Sequence, residues 1–307
     1  HLLNLKNVRL ECVYDVDSKV CEIAHADFGV RIASNIEELL DAVDAVDIAT
    51  PTITHFEIAR KAIEAHKNLF IEKPICANVA EGRLLVELAN ANKLLMQVGH
   101  IERFNRARRS LDLVEFNPRF IEAHRLAEWN PRGGDVAVVH DLMIHDLDLI
   151  LSLTSSDVSS IYANGVAVIS DSVDIATARI EFDDGLVANV TSSRISLKNM
   201  RKMRLFGERE YIALDLLKGE CEFVGVVDKI AAVPDGFHPI GDLTVGDRHR
   251  ILFRKFLKAA EGDALRLELT AFRDSILTNS EPVVTGMDGL KALELAERII
   301  SIIKKNR

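Results

Sequence analysis

Three residues in this chain have the types and spacing to move a proton: Lys73, Asp141 and His145. In a helix, residues four apart lie on one face a turn above each other. Asp141-Leu142-Met143-Ile144-His145 therefore sets a carboxylate beside an imidazole. Lys73, in Glu72-Lys73-Pro74, closes an apolar strand-like run, and open α/β sheets take their ligands at such strand ends. A cation, a carboxylate and a titratable base in one cleft suit removal of a proton from a hydroxyl. With a bound hydride acceptor, that chemistry is alcohol–carbonyl redox. In this reading His145 takes the proton, and Asp141 orients the ring and stabilises its charged form. The plainer alternative is a buried structural couple, because buried acids and histidines need partners.

The elements that must position these groups change character along the chain. Arg9 to Asp15 reads as a strand ending in an acid, and Ser18 to Phe28 as a helix stopped by Gly29. Val43 to Thr50 is a second strand, ended by Pro51. Thr54 with Glu57 predicts a capping box. Asn68 to Glu72 is a buried strand, Asn78 with Glu81 caps a helix, and Leu94 to Val98 is a strand again. This alternation implies βαβ units and a parallel sheet. After Asn105 come a strand at Phe120 to Ala127, a loop at Trp129 to Asp135 and a long apolar helix at Val136 to Leu153. Strand-like runs follow at Val158–Ile169, Asp174–Phe182, Leu186–Ser193, Met203–Phe206, Tyr211–Leu216 and Cys221–Val227. Asp184-Gly185 predicts a hairpin. Helices are expected at Ile251–Ala260, Ala264–Leu277 and Asp288–Lys305. The fold expected is an α/β Rossmann-type nucleotide domain over residues 1–105 and an α+β domain over 106–307. The second has a mostly antiparallel open sheet, and its C-terminal helix is expected to pack back on the first.

The 307 residues suffice for two domains, and 48% are hydrophobic. A net charge of -9 gives no general attraction for nucleic acid or anionic membrane. No apolar run reaches the ~18 residues of a membrane helix. Cys12, Cys21, Cys76 and Cys221 are scattered without a CxxC pair, which fits a reducing, cytoplasmic setting. A doubly wound domain opens with a strand, a Gly-rich turn and a helix, yet GxGxxG does not occur here. His1-Leu2-Leu3-Asn4-Leu5 reads as the end of a first helix. The expectation is that a first strand, the glycine turn and most of that helix precede His1. The alternative is that the domain is not a dinucleotide fold.

Five motifs, in this order and spacing, resemble the Gfo/Idh/MocA family of NAD(P)-dependent sugar oxidoreductases. They are Val13-Tyr14-Asp15-Val16-Asp17, Ala49-Thr50-Pro51-Thr52-Ile53-Thr54-His55, Glu72-Lys73-Pro74, Gly99-His100-Ile101-Glu102-Arg103-Phe104-Asn105 and Asp141-x-x-x-His145. The fourth is most similar to the branch that includes UDP-N-acetylglucosamine 3-dehydrogenases. Met143 stands where the family often has glycine, which predicts a narrower site on that side. The resemblance implies an oxidation at a ring hydroxyl of a sugar or nucleotide sugar, with NAD as acceptor and NADP less suited. It also implies a cis peptide before Pro74, and a homodimer or homotetramer formed through the open sheet.

Asp15 ends a strand where an acid meets the adenine ribose hydroxyls and repels a 2′-phosphate; otherwise it is a loop acid near Asp17. Thr50, Pro51, Thr52 and His55 sit at a strand end and helix start, where backbone N–H groups can face a phosphate or ribose. The bland account there is turn and cap chemistry. Glu72 and Lys73 join this cofactor group through the resemblance. Lys73 is also expected on the reacting oxygen; otherwise it is a solvated charge paired with Glu72. Arg103, Asn105 and Arg132 are candidate substrate contacts, against a simple salt bridge for Arg103. Trp129 shares the loop of Arg132. Asp148 adds an acid on the Asp141 stripe, and His140 reads as structural. The basic stretch Arg194, Lys198, Arg201, Lys202 and Arg204 could meet a diphosphate, or be a solvated sheet face. Two other functions stay open: a non-catalytic sugar or nucleotide binder on the same fold, and a metal-dependent hydrolase using His140-Asp141 and His145-Asp146.

Overall fold

Strands and helices alternate from Cys12 to Gly99 because buried runs of branched and aromatic residues are separated by capped amphipathic segments. A computed structural model describes residues 1–130 and 136–306. The chain divides into two units. The first holds His1–Ile101 and Asp263–Leu293, and the second Glu102–Gly262 and Glu294–Arg307.

In the first unit, β1 (Cys12–Val13) pairs parallel with β2 (Arg31–Ile32). A three-stranded parallel sheet contains β3 (Ala45–Ile48), β4 (Asn68–Glu72) and β5 (Met96–Gly99), with β4 central. Leu69, Phe70 and Ile71 are at most 1% exposed, as a strand covered on both faces requires. Helices α1 (Ser18–Phe28), α2 (Ile36–Ala42), α3 (Thr52–Glu64) and α4 (Val79–Ala91) connect the strands. Asp17, Asn35 and Asn78 cap α1, α2 and α4 through their side-chain oxygens. Gly29 ends α1 at φ 66°, a left-handed position open to glycine at little cost.

The second unit is built on a nine-stranded sheet. Its strands are β6 (Phe120–Leu126), β7 (Val158–Val166), β8 (Ile175–Phe182), β9 (Val187–Ser193), β10 (Met200–Phe206), β11 (Glu210–Asp215), β12 (Glu220–Val227), β13 (His238–Val245) and β14 (Arg248–Leu257). The order is β13-β14-β12-β11-β10-β6-β9-β8-β7. The β6–β9 pair is parallel and the others are antiparallel. The core includes Ile121, Ala188, Val190, Leu205 and Ile212 of the sheet, Leu147 and Ile150 of α6 (Ile144–Leu151), and Ile299 and Ile303 of the last helix.

Several expectations need correction. Ile251–Ala260 is not a helix. Ile251, Phe253 and Leu257 are buried while Phe256 is 51% exposed, which is the alternation of β14. The capping box at Thr54 and Glu57 does not form. Helix α3 begins three residues earlier, with Pro51 at the N-cap position, Thr54 donates to the Thr50 hydroxyl and the Pro51 carbonyl, and Glu57 pairs with Arg60. The helix expected from Val136 to Leu153 is a π turn over Val139–Met143 running into α6. The units divide at Ile101, not Asn105. All of α7 (Ala264–Thr278) and residues 286–293 of α8 (Gly286–Lys305) belong with the first unit. There Phe272 meets Phe70 edge-on at 5.8 Å, and Gln97 donates to the Glu268 carbonyl at 3.0 Å.

Candidate active site

In the first unit the carboxyl ends of β3, β4 and β5 lie level, with Ile48 opposite Ile71 and Glu72 opposite Gly99. Parallel sheets bind ligands at this edge. The turn after β3 carries Thr50, Pro51 and Thr52. No side chain caps α3; the Thr54 N–H is taken by the Pro51 carbonyl at 2.9 Å, while the N–H groups of Thr52 and Ile53 lie ahead of the helical hydrogen-bond ladder. His55 is 1% exposed. Its Nδ1 lies 2.9 Å from the Pro74 carbonyl oxygen and its Nε2 2.8 Å from that of Thr50. The ring thus ties the turn after β3 to the turn after β4. The Lys73–Pro74 peptide is cis.

Glu72 lies against Gly99, where a Cβ would sit 2.9 Å from Glu72 Oε2. That close approach is the physical reason for glycine here. Burial pushes the Glu72 carboxyl above its ordinary value, opposed by the Lys73 N–H, the Lys73 charge and the neighbouring His55. Asp15 is exposed just beyond β1 and accepts the Asp17 N–H at 2.8 Å. Asp17 caps α1 instead, accepting from the Lys19 N–H at 3.0 Å. The two acids near β1 therefore have separate tasks. An exposed strand-end acid, a glycine against Glu72 and an uncapped helix start fit a dinucleotide at this edge.

In the second unit Asp141 occupies the π turn and His145 the first turn of α6; both are half-buried. The wider π turn changes the phase between them from that of a continuous α-helix. Such turns are frequent at functional sites. Met143, expected to narrow the site, is wholly buried in the hydrophobic core. His140 Nε2 is 2.9 Å from Glu297 Oε1.

Arg103 and Asn105 prove to have internal partners. Arg103 forms a bidentate pair with Asp148, both bonds 2.7 Å. Asn105 caps α5 (Arg106–Leu111) by accepting the Ala107 N–H, and donates to Glu102 and to the Leu216 carbonyl. Arg132 lies outside the described residues. Arg125 was not singled out in the sequence. It binds both oxygens of Asp146 at 2.9 Å and donates to Glu102 at 2.8 Å, all three 2–4% exposed. With Asp146 so engaged, the metal-hydrolase reading loses a ligand. Among the described residues no three His, Cys, Asp or Glu side chains are placed to hold a metal ion.

Much of the basic stretch is also paired. Arg194, 3% exposed, binds Asp174, the Val136 carbonyl and the hydroxyls of Ser170 and Ser172. Its guanidinium lies 5.5 Å from the centroid of the Trp129 ring. Arg201 meets Glu102, Lys202 meets Asp215, and Arg204 meets Glu122. Among the described residues, no helix is long and apolar enough to cross a membrane.

Residues 1–100 match the model of an oxidoreductase family with an NAD-binding Rossmann fold, and residues 114–213 match the C-terminal domain of the same family. The chain is 33% identical over 292 residues to UDP-N-acetylglucosamine 3-dehydrogenase from Acidithiobacillus ferrooxidans, covering 95% of this chain and 88% of that protein. A solved structure of that enzyme superposes with a TM-score of 0.84, covering 95% and 89% of the two chains at 32% identity. The fold is shared at 18% identity with scyllo-inositol dehydrogenase from Lactobacillus casei, solved with NAD(H) and scyllo-inositol. There the TM-score is 0.75 and the coverage 99% and 91%. Both halves of the sequence, and the strand ends that carry its motifs, place the chain in the Gfo/Idh/MocA family of NAD-binding oxidoreductases.

Proposed function

We propose that this protein oxidises a ring hydroxyl of a nucleotide sugar, or of a simpler sugar, with NAD as the acceptor. The observation that carries the reading is the placement of Asp141 in a π turn directly ahead of His145. Similarity to a UDP-N-acetylglucosamine 3-dehydrogenase over 95% of the chain favours the nucleotide sugar.

When bound, NAD supplies the hydride acceptor. Asp15 accepts hydrogen bonds from the adenine ribose hydroxyls, and its charge disfavours a 2′-phosphate. The α3 start, with Thr50, Pro51 and Thr52, offers N–H donors to the cofactor's polar groups. His55 holds that turn from behind, while Glu72 and Lys73 flank the adjacent strand end. His145 accepts the proton of the substrate hydroxyl, Asp141 supports the imidazolium, and the Lys73 ammonium stabilises the oxygen as it gains charge. We assign a cytoplasmic location on the scattered thiols, and a homodimer or homotetramer built on the outer face of the nine-stranded sheet.

The test is a screen of UDP-sugars, free sugars and inositols for NADH formation by the protein. NADH formation with a UDP-N-acetylhexosamine is the expected outcome. Activity confined to substrates without a ring hydroxyl would discard the assignment.

A further inference from the structure

Two arginine–aspartate pairs, one buried and one partly buried, grip the helix α6 that carries His145. Arg125, on β6, binds both oxygens of Asp146 at 2.9 Å. Arg103, in the 3-10 turn Ile101–Phe104, binds both oxygens of Asp148 at 2.7 Å. Glu102 of the same turn accepts from Arg125 at 2.8 Å and, at 3.4 Å, from Arg201, while Asn105 donates to its other oxygen at 3.0 Å. The turn, β6 and α6 are thereby joined in one network of paired charges. Both aspartates are at most 2% exposed.

The placement of the aspartates decides what this network does. An α-helix advances about 100° per residue. Asp146 lies about 100° round the axis from His145 in one direction, and Asp148 about 60° round in the other. The two pairs thus bracket the direction of the His145 side chain. Bidentate pairs fix orientation as well as distance, because two parallel bonds lengthen if the helix turns. The restraint matters here because the π turn just before α6 departs from α geometry, and α6 follows without a side-chain cap. Reversion of that turn to α would rotate everything after it.

We infer that Arg125 and Arg103 are positioning residues that set the rotation of α6 and so aim the His145 imidazole. The inference rests on His145 as the proton acceptor proposed above. Neither arginine acts on the substrate in this account. In this account the motif residues Glu102, Arg103 and Asn105 belong to the frame of the base.

The test combines Arg103→Lys, Arg125→Lys and His145→Asn, with a double-mutant cycle between Arg103→Lys and His145→Asn. Lysine keeps the charge but cannot make the bidentate contact. Folding is followed by thermal unfolding and circular dichroism, NAD affinity by calorimetry, and kcat and KM by NADH formation. A misplacement of about 1 Å can cost about 100-fold in rate. We expect Arg103→Lys to fold, keep NAD affinity and KM within about twofold, and lower kcat by about 10- to 100-fold. In the His145→Asn background the same change should have almost no further effect, because both act through one imidazole.

Full turnover by His145→Asn would remove the proposed proton acceptor and this inference with it. Loss of activity in His145→Asn beside unchanged kcat in Arg103→Lys would overturn the positioning role alone. So would losses that multiply in full in the double variant. If Arg125→Lys does not fold, Arg103→Lys carries the test. Unfolding of both would assign the pairs to stability and overturn the inference.

Discussion

His55 Nδ1 lies 2.9 Å from the carbonyl oxygen of Pro74, the residue after Lys73. Its other nitrogen faces Thr50, so one buried ring spans two strand-end turns. A buried carbonyl stripped of its partner costs about 1–3 kcal/mol. His55→Phe keeps a ring but removes both nitrogens. We expect it to lower thermal stability by a corresponding amount and to weaken NAD binding, both measurable on one preparation by calorimetry. Unchanged affinity would mean that the two turns hold their shape without the ring.

Asp15 should govern the choice of cofactor. Asp15→Ser is expected to narrow the preference for NAD over NADP in kcat/KM, whereas Asp17→Ala should leave that ratio alone. Loss of the Asp17 cap should instead cost about 0.5–2 kcal/mol of stability, read by thermal unfolding. The paired variants separate the two acids, which one variant alone would not.

The catalytic assignments predict a particular split between rate and binding. Removing a positioned base costs about 10²–10⁴-fold in rate. His145→Asn should lower kcat by that order with NAD affinity intact, and Asp141→Asn should also lower kcat without weakening NAD. Lys73→Ala should reduce kcat and weaken NAD binding together, because Lys73 is assigned to both cofactor and substrate. Steady-state kinetics with calorimetry distinguishes the patterns.

Asp174 carries a pH prediction. Burial pushes its carboxyl upward, but the Ser170 hydroxyl and the N–H groups of Ile169, Val168 and Ser170 outweigh it and hold it well below the usual carboxylate range. A carboxylate depressed on folding contributes stability in full above its unfolded value of about 3.9, and loses it as pH falls towards the folded value. Asp174→Asn also leaves the buried Arg194 without its counter-charge, at a cost of about 3–5 kcal/mol. The gap in unfolding free energy between parent and variant should be widest near neutrality. It should narrow only below about pH 4. A constant gap down to pH 2 would contradict this account.

Local signals in the sequence located many elements. The end of α1 follows from Gly29 after it, and the β8–β9 hairpin from Asp184-Gly185. Helix α4 follows from Asn78 and Glu81. What failed depends on distant partners. Ile251 to Leu257 is apolar enough for either period, and its pairing with β12 makes it a strand. Edge strand β13 has no apolar alternation to reveal it. The π turn is invisible because the apolar pattern around it suits an ordinary helix. The Arg103 pair with Asp148 spans 45 positions, which no local signal reveals. Arg125 carried no motif at all. The available clue was the set of charges within apolar runs, Asp146 and Asp148 among them, which a buried helix tolerates only with partners.

The position of β6 has a consequence for biosynthesis. It is the earliest of the nine strands to leave the ribosome, yet its sheet neighbours, β9 and β10, begin at Val187 and Met200. A nascent chain ending before Val187 leaves β6 with no strand to pair with. Its hydrogen-bonding edges then await later residues. Non-local pairing of this kind slows folding and prolongs exposure of strand edges. Truncations within this stretch should therefore yield aggregating chains, and chaperone demand during synthesis should peak before β9 emerges.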